Sequence, residues 1–480
     1  MCDTIFFATF AVDNETMLMN RKILLLLIPL LALGISAATT KTPYPGPKCY
    51  IFRYTLTDKG PTSHTLDKPQ RFLSQKSLER RQRQGIRVDS TDLPISRHYV
   101  RQFETLQTEV LGTSRWQKTV LVRSRDSLAL EALRSLPIVR EACCVFISPD
   151  SIDKTDDIHW NLHKEFNRWD SVKNDPYGMA RPQIEMLQGQ RLHEQGFRGK
   201  GITIAVLDGG FQNYDKIPAL KKAHIAGTRD FVATTSGFQA IDHGTKVFSA
   251  LAAQAPDVIM GTAPEATYWL MRCEDPQTEQ PVEEDYWTMA AEMADSAGAD
   301  IINSSLGYYN YDGARGSYQL QDLDGQTAFI SRTASMLAGK GIILCNSAGN
   351  SGMGQWKKIG VPADAIDILT VGAVDKNRRL AAFSSIGPSQ DGRTKPDIVA
   401  QGAPAALITG RSTLVHDMGT SFSTPIVCGL VACLWQALPD KTALQIIDIV
   451  RRSANQYENP TNIYGYGVPD FWKAYIDGER

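Results

Sequence analysis

The run Gly201-Ile-Thr-Ile-Ala-Val-Leu207 restricts the fold more than any other stretch: it is apolar almost throughout and closes on Asp208-Gly-Gly. A strand of this kind buries both faces, which is the condition of a parallel sheet covered by helices rather than of an antiparallel sheet with one wet face. Residues 266–272, 299–303, 341–345 and 368–374 are further runs of strand length, and helical stretches at 286–296 and 327–338 separate some of them. The alternation predicts an α/β domain with a mostly parallel sheet and helices on both faces. Ligands of such sheets bind beyond the carboxyl ends of the strands, where Asp208, Ser304-Ser-Leu-Gly307 and Asn350 all fall.

A second stretch carries the chemistry. In Gly419-Thr-Ser-Phe-Ser-Thr-Pro425 one serine precedes an apolar helix marked by Ile426, Val427, Leu430, Val431 and Leu434. Pro425 is expected in the first helical turn, where its missing N–H has no internal partner to lose. Ser421 then lies at a helix N-terminus, where unpaired N–H groups and the positive end of the dipole suit an oxyanion. A serine hydroxyl also needs a base and a group to orient that base. His243-Gly-Thr245, opening a helical stretch over 247–253, and Asp208 supply them, in the chain order Asp208, His243, Ser421. Asn350, followed by Ser351-Gly352, can aim its amide at the same oxyanion. Singly, each has a plainer reading as a turn, helix-start or loop residue. His416, the rival base, reads as part of the strand leading to Ser421.

These residues lie within nine segments whose order resembles the subtilisin-like serine proteases, or subtilases. The segments are Asp208-Gly-Gly, His243-Gly-Thr, Gly261-Thr-Ala-Pro-Glu-Ala266, Ala299-Asp-Ile-Ile-Asn-Ser-Ser-Leu-Gly307, Ser347-Ala-Gly-Asn350, Val371-Gly-Ala373, Phe383-Ser-Ser385, Lys395-Pro-Asp397 and the Ser421 stretch. The resemblance covers roughly residues 176–480. It implies a serine endopeptidase of broad sequence tolerance that needs no cofactor and no catalytic metal and acts on proteins or peptides. Carried over from the family, Ser421 is the nucleophile, His243 the general base, Asp208 its orienting partner and Asn350 an oxyanion donor. Ser305, Leu306 and Gly307 form an edge on which the substrate backbone pairs. An esterase or lipase is disfavoured, because Gly-x-Ser-x-Gly is missing around Ser421 and the triad order differs.

Two departures qualify the match. Gly209 stands where the family commonly has Ser or Thr beside the triad aspartate, and Lys246-Val-Phe-Ser249 where it often has His, Ala and Gly. Neither removes a proton-transfer group, but they keep open an alternative, a catalytically weakened subtilase-like protein that binds peptides. Glu274, Asp275, Glu279, Glu283, Glu284 and Asp285 are expected to form an acidic rim favouring basic substrate residues, unless 283–285 only stabilise a helix start.

Upstream, Arg21-Lys22, an apolar run over 23–33 and Ser36-Ala-Ala38 read as a signal peptide over 17–38, with translation starting at Met17 or Met19 because Asp3 and Asp13 do not suit a leader. This predicts a secreted or cell-envelope protein with no stable membrane anchor. Residues 48–148 read as a small α+β domain resembling subtilase propeptides, an intramolecular inhibitor and folding helper. Its expected elements are strands at 50–55, 117–123 and 138–147, helices at 72–84 and after Asp126, and helical spacing of Val100, Phe103, Leu106 and Val110. Residues 149–177 are a polar linker suited to a processing cut, and 178–480 the peptidase domain. A formal net charge of −1 from 51 basic and 52 acidic residues gives no basis for nucleic-acid binding. The run Arg80-Arg-Gln-Arg83 is expected to be a solvated helix face. No zinc spacing is present, and Cys273, Cys345, Cys428 and Cys433 in apolar runs read as buried thiols.

Overall fold

A computed structural model describes residues 40–154, 174–314 and 316–480. The expected leader and the part of the linker at 155–173 lie outside the described residues. Strand β1 (Thr40–Pro43) pairs antiparallel with β6 (Ser151–Lys154) as a small unit of its own, so the first residues of the expected linker are a strand.

In the N-terminal domain β2 (Tyr50–Leu56), β3 (Thr108–Ser114), β4 (Thr119–Ser124) and β5 (Val139–Ile147) form an antiparallel sheet in the order β3-β4-β2-β5, with helix α1 (Gln75–Arg83) between β2 and β3 in sequence. Its core gathers Phe52, Tyr54, Leu56, Phe103, Val120, Val122 and Leu130. The helical spacing expected through Val110 fails. Helix ends at Arg101, Thr105 and Thr108 bond to each other to form a turn, and Val110 lies in β3. The short-range period was broken by a turn whose polar residues prefer local side-chain bonds to a helical ladder.

The larger domain has a seven-stranded sheet. Its strands are β7 (Thr203–Asp208), β8 (His224–Asp230), β9 (Thr267–Arg272), β10 (Ile301–Ser304), β11 (Ile343–Ser347), β12 (Leu369–Asp375) and β13 (Ile398–Ala403). They run in the order β13-β12-β11-β10-β7-β9-β8, with every neighbouring pair parallel. From β7 the chain runs to the edge strand β8, returns as β9 between the two, then crosses to β10 on the other side of β7. Asp208 and Ser304 therefore end adjacent strands at the point where the order reverses, the usual location of a site in an open parallel sheet.

Both faces of β7 are buried, as its sequence requires. Helices α2 (His243–Ala252) and α5 (Thr420–Ala437) share one core with Ile204 and Val206. Helix α3 (Val282–Ala297) meets β7 and β9 and packs on α4 (Phe329–Met336). Among the described residues α5 is the one helix long and apolar enough to cross a membrane, and nearly all of it is buried inside the domain. Edge strand β8, His-Ile-Ala-Gly-Thr-Arg-Asp, escapes sequence reading because it is largely exposed and has no apolar run. A short helix (Arg181–Glu185) is separated from a second (Gly189–Glu194) by Gln188 at φ 57°.

Arg80 and Arg81 correct the expectation of a solvated basic face: each is about 1% exposed. Helix α1 lies against α3, where Arg80, Arg81 and Arg115 of the N-terminal domain converge on Asp295 of the larger one. Arg81 also forks onto Asp92 at 3.0 and 3.1 Å. Glu292, one turn earlier on α3, accepts from the backbone N–H groups of Arg115 and Trp116 at 3.0 and 3.1 Å. Arg53 bonds Asp285 at the start of α3. A basic run reads as surface in isolation because Asp295, the acidic partner that Arg80 and Arg81 share, lies more than 200 residues away in sequence.

Breaking such a network from one side leaves buried charges unpaired. In a Ser421→Ala background that keeps the chain intact, Asp295→Ala should lower stability in denaturant unfolding by about 3–5 kcal/mol. Removing the exposed Arg134–Glu131 pair should change it by less than about 1 kcal/mol.

Candidate active site

Asp208 is fully buried at the end of β7, and its Oδ1 accepts from His243 Nδ1 at 2.8 Å and from its neighbour Gly209 N at 2.8 Å. His243 is the first residue of α2. The approach of α2 to β7 depends on Gly244, where a Cβ would meet Gly210 O at 2.5 Å and Asp208 Cβ at 3.0 Å. With Nδ1 held by the carboxylate, the imidazole tautomer is fixed and Nε2 is left to take a proton. Burial lowers the imidazole pKa, but the charge and hydrogen bond of Asp208 prevail and raise it above the ordinary histidine value.

Ser421 is the second residue of α5 and 8% exposed. Its hydroxyl donates to Ser305 O at 3.3 Å, while Ser305 Oγ donates back to Ser421 O at 2.9 Å. The second bond corrects the placement of Pro425, which lies inside α5 beyond its first turn. Proline at 425 withholds the N–H that would bond the carbonyl four residues back, that of Ser421, and the Ser305 hydroxyl takes its place. Sequence reasoning assigned Ser305 to the substrate edge and missed this role.

Asn350 sits on the loop after β11, and its Oδ1 accepts from Thr420 N at 3.0 Å and Thr420 Oγ1 at 2.9 Å. These two donors fix the amide orientation, so Nδ2 is the end directed elsewhere. Thr420 Oγ1 also accepts from Gly349 N at 3.2 Å, tying the Asn350 loop to the start of α5. Thr420 was not singled out from sequence, although its place beside Ser421 was the available signal.

Leu306 is buried and its carbonyl accepts from Asn346 Nδ2 at 3.3 Å, whereas Gly307 is exposed. His416 lies in a strand (Leu414–Asp417) paired with Ala405–Ile408. Lys246, one turn after His243, bonds Asp417 Oδ2 at 2.9 Å and lies 3.7 Å from Asp242.

The acidic rim expected at six residues does not form at four of them, while Glu274 and Glu279 are partly exposed. Asp275, Glu283, Glu284 and Asp285 are buried. Asp275 accepts from Tyr44, Thr234 and Thr235, Glu283 from Asp275 N, Glu284 from Tyr311, Tyr318 and Ile330 N, and Asp285 from Arg53. Glu283, Glu284 and Asp285 also occupy the first turn of α3, where acidic groups suit the helix dipole. Among the described residues no group of three or more His, Cys, Asp or Glu is placed to hold a metal ion. Cys49, Cys273, Cys345, Cys428 and Cys433 are buried thiols.

If His243 accepts the proton of Ser421, it works only when neutral. A raised pKa then means that kcat/KM falls as pH is lowered through a value above about 6.5, the ordinary histidine pKa. A pH profile on a neutral chromogenic peptide checks this, and an acid limb centred below that value would remove the Asp208 effect.

The subtilase family model matches residues 199–467, and the model for the peptidase S8 propeptide domain of Bacteroidota matches residues 52–159. M-protease of Shouchella clausii (strain KSM-K16) is 26% identical over 343 residues, 71% of this chain and 79% of that protein. Subtilisin Savinase of Lederbergia lenta is 27% identical over 295 residues, 61% of this chain and 96% of that protein. Among solved structures, that of the prenylagaramide maturation protease PagA aligns with a TM-score of 0.49 at 21% identity, covering 61% of this chain and 98% of that one.

Proposed function

The chain belongs to the subtilase family of serine endopeptidases, and on that premise we propose that it is an exported zymogen whose Ser421, His243 and Asp208 cut peptide bonds through an acyl-enzyme. The observation that carries the reading is the His243–Asp208 bond, with the His243 ring centroid 5.7 Å from that of Phe422, the residue after Ser421 at the start of a buried helix. Ser421 Oγ turns from the Ser305 carbonyl toward His243 Nε2 and attacks the scissile carbonyl as its proton passes to the imidazole. Asp208 stabilises the imidazolium, which then protonates the leaving amine. The Asn350 amide and the Ser421 N–H receive the developing oxyanion. Gly307 offers its exposed backbone to the substrate strand, with Ser305 and Leu306 fixing the edge from behind.

The alternative, a weakened peptide-binding protein, draws on Gly209 and Lys246. Lys246 is engaged by Asp417 and Asp242 and supplies no proton acceptor in competition with His243. The catalytic reading therefore accounts for more of the site.

Export is supported by the basic and apolar run over 21–38, which makes 17–38 a cleaved signal peptide and the destination the cell envelope or the exterior. A propeptide domain is present. In the proposed maturation residues 48–148 inhibit the enzyme until a cut within 149–177 frees the peptidase at 178–480.

After leader removal, Ser421→Ala should accumulate as an uncut chain with no hydrolysis of unfolded casein, while the wild type loses 48–148 and becomes active. N-terminal sequencing of both from a protease-free host reads the outcome. Equal processing of the two would contradict self-maturation, and casein hydrolysis by Ser421→Ala would contradict the nucleophile.

A further inference from the structure

We propose that Glu274 is a positioning residue of this site: its protonated carboxyl fills the space beside Gly209 and donates a hydrogen bond to Asp208 Oδ2. The inference rests on the reading of Asp208 and His243 as the base pair of Ser421.

Asp208 spends Oδ1 on two donors, yet its Oδ2 is buried and has no partner among the described residues. A buried carboxylate oxygen without a donor is uncommon and unfavourable. The adjacent residue cannot help, because Gly209 has no side chain. The space it leaves is occupied: a Cβ at 209 would lie 2.9 Å from Glu274 Oε2 and 3.1 Å from Ile241 Cδ1. Glu274 is brought there by the sheet. Arg272 is in register with Asp208, and Cys273 N donates to Asp208 O at 3.0 Å, so the chain leaves β9 directly over the triad aspartate. Arg272 Nε holds the Gly209 carbonyl at 3.1 Å and fixes the other side of that turn.

The charges around Glu274 favour a neutral carboxyl in acid. Burial first, and then the charge of Asp208, push it up to about 7, with Asp275 adding to the rise and His243 and Arg272 opposing it. On the side of α3, Glu279 is pushed up to about 9 by burial and by Glu274, and buried Glu283 rises as well. Behind them burial keeps the Cys273 thiol and the Tyr308 phenol protonated. Below about pH 7 Glu274 therefore has an O–H to give, and the proposed acceptor is the partnerless Oδ2 of Asp208. Above that pH the donor is lost and a second anion stands beside Asp208. Turnover should then fall as Glu274 ionises.

The test measures kcat and KM on a neutral peptide from pH 5 to 9 for enzymes matured to one N-terminus. At pH 6 Glu274→Ala should lower kcat about tenfold or more, with KM within about twofold, since a bond to a charged group is lost. Glu274→Gln keeps an N–H donor, so it should recover most of that turnover and remove the fall near pH 7. Gly209→Ser added to Glu274→Ala should recover it too, because a hydroxyl then fits where the carboxyl was, while Gly209→Ser alone meets Glu274 and does worse than the double variant. Equal losses in Glu274→Ala and Glu274→Gln without recovery by the double variant would overturn the proposal in favour of packing alone. An effect confined to KM would overturn it in favour of substrate contact. If Glu274→Ala matches wild type at every pH, the positioning role fails and the triad stands. A folded, matured wild type with no turnover removes the triad reading, and this one with it.

Discussion

The hydrogen bond from His243 Nδ1 to Asp208 Oδ1 joins the end of the central strand to the first residue of a helix, and it requires a charge to be held where no water reaches it. The surrounding fold supplies what that requires. Two donors meet Oδ1, Gly244 lets the helix backbone come within contact of the strand, and parallel neighbours on both sides fix where β7 ends. Ser421 is held from the other direction. Ser305, just beyond the adjacent strand, accepts a hydrogen bond from the Ser421 hydroxyl at its backbone carbonyl and donates its own hydroxyl to the Ser421 carbonyl, while Asn350 is locked to Thr420. Five segments distant in sequence are thus tied by hydrogen bonds, 208 to 243 and both 305 and 350 to the start of α5.

The N-terminal domain is held to α3 by a different kind of force. Its contact is ionic and deeply buried, with one aspartate serving three arginines. Buried ion pairs add little net stability over apolar packing, but they penalise every misplaced pose heavily, because each unpaired charge is expensive. In the proposed maturation they also suit a surface that then meets water, since carboxylates on α3 hydrate readily where a large apolar face would invite aggregation. Glu292 capping backbone N–H groups at Arg115 and Trp116 adds a directional lock that no sequence pattern announces.

Much of the sheet was legible because burial on both faces demands continuous apolar runs, as in 201–207 and 341–345. Edge strand β8 was not, because a mostly exposed strand has no need of one. Asp208, His243, Ser421 and Asn350 were legible as short motifs at element ends, and the structure brings Asp208 to His243 and the Asn350 loop to the start of α5. What escaped were relations set by tertiary contact: Arg80 and Arg81 read as surface until Asp295 arrives from another domain. Pro425 reads as a first-turn residue until Ser305 is seen completing the ladder it interrupts. Glu274 read as one of six acidic rim residues, and only its distance from the absent side chain of Gly209 sets it apart.

The central claim is that His243 makes Ser421, among all the serines of this chain, the nucleophile. It is tested most directly by exposing the matured protein to diisopropyl fluorophosphate and mapping the adduct by peptide mass spectrometry. One phosphoryl group on Ser421 in wild type, and none in a folded His243→Ala variant, is the predicted result. Labelling of a different serine, or equal labelling with and without His243, would contradict it.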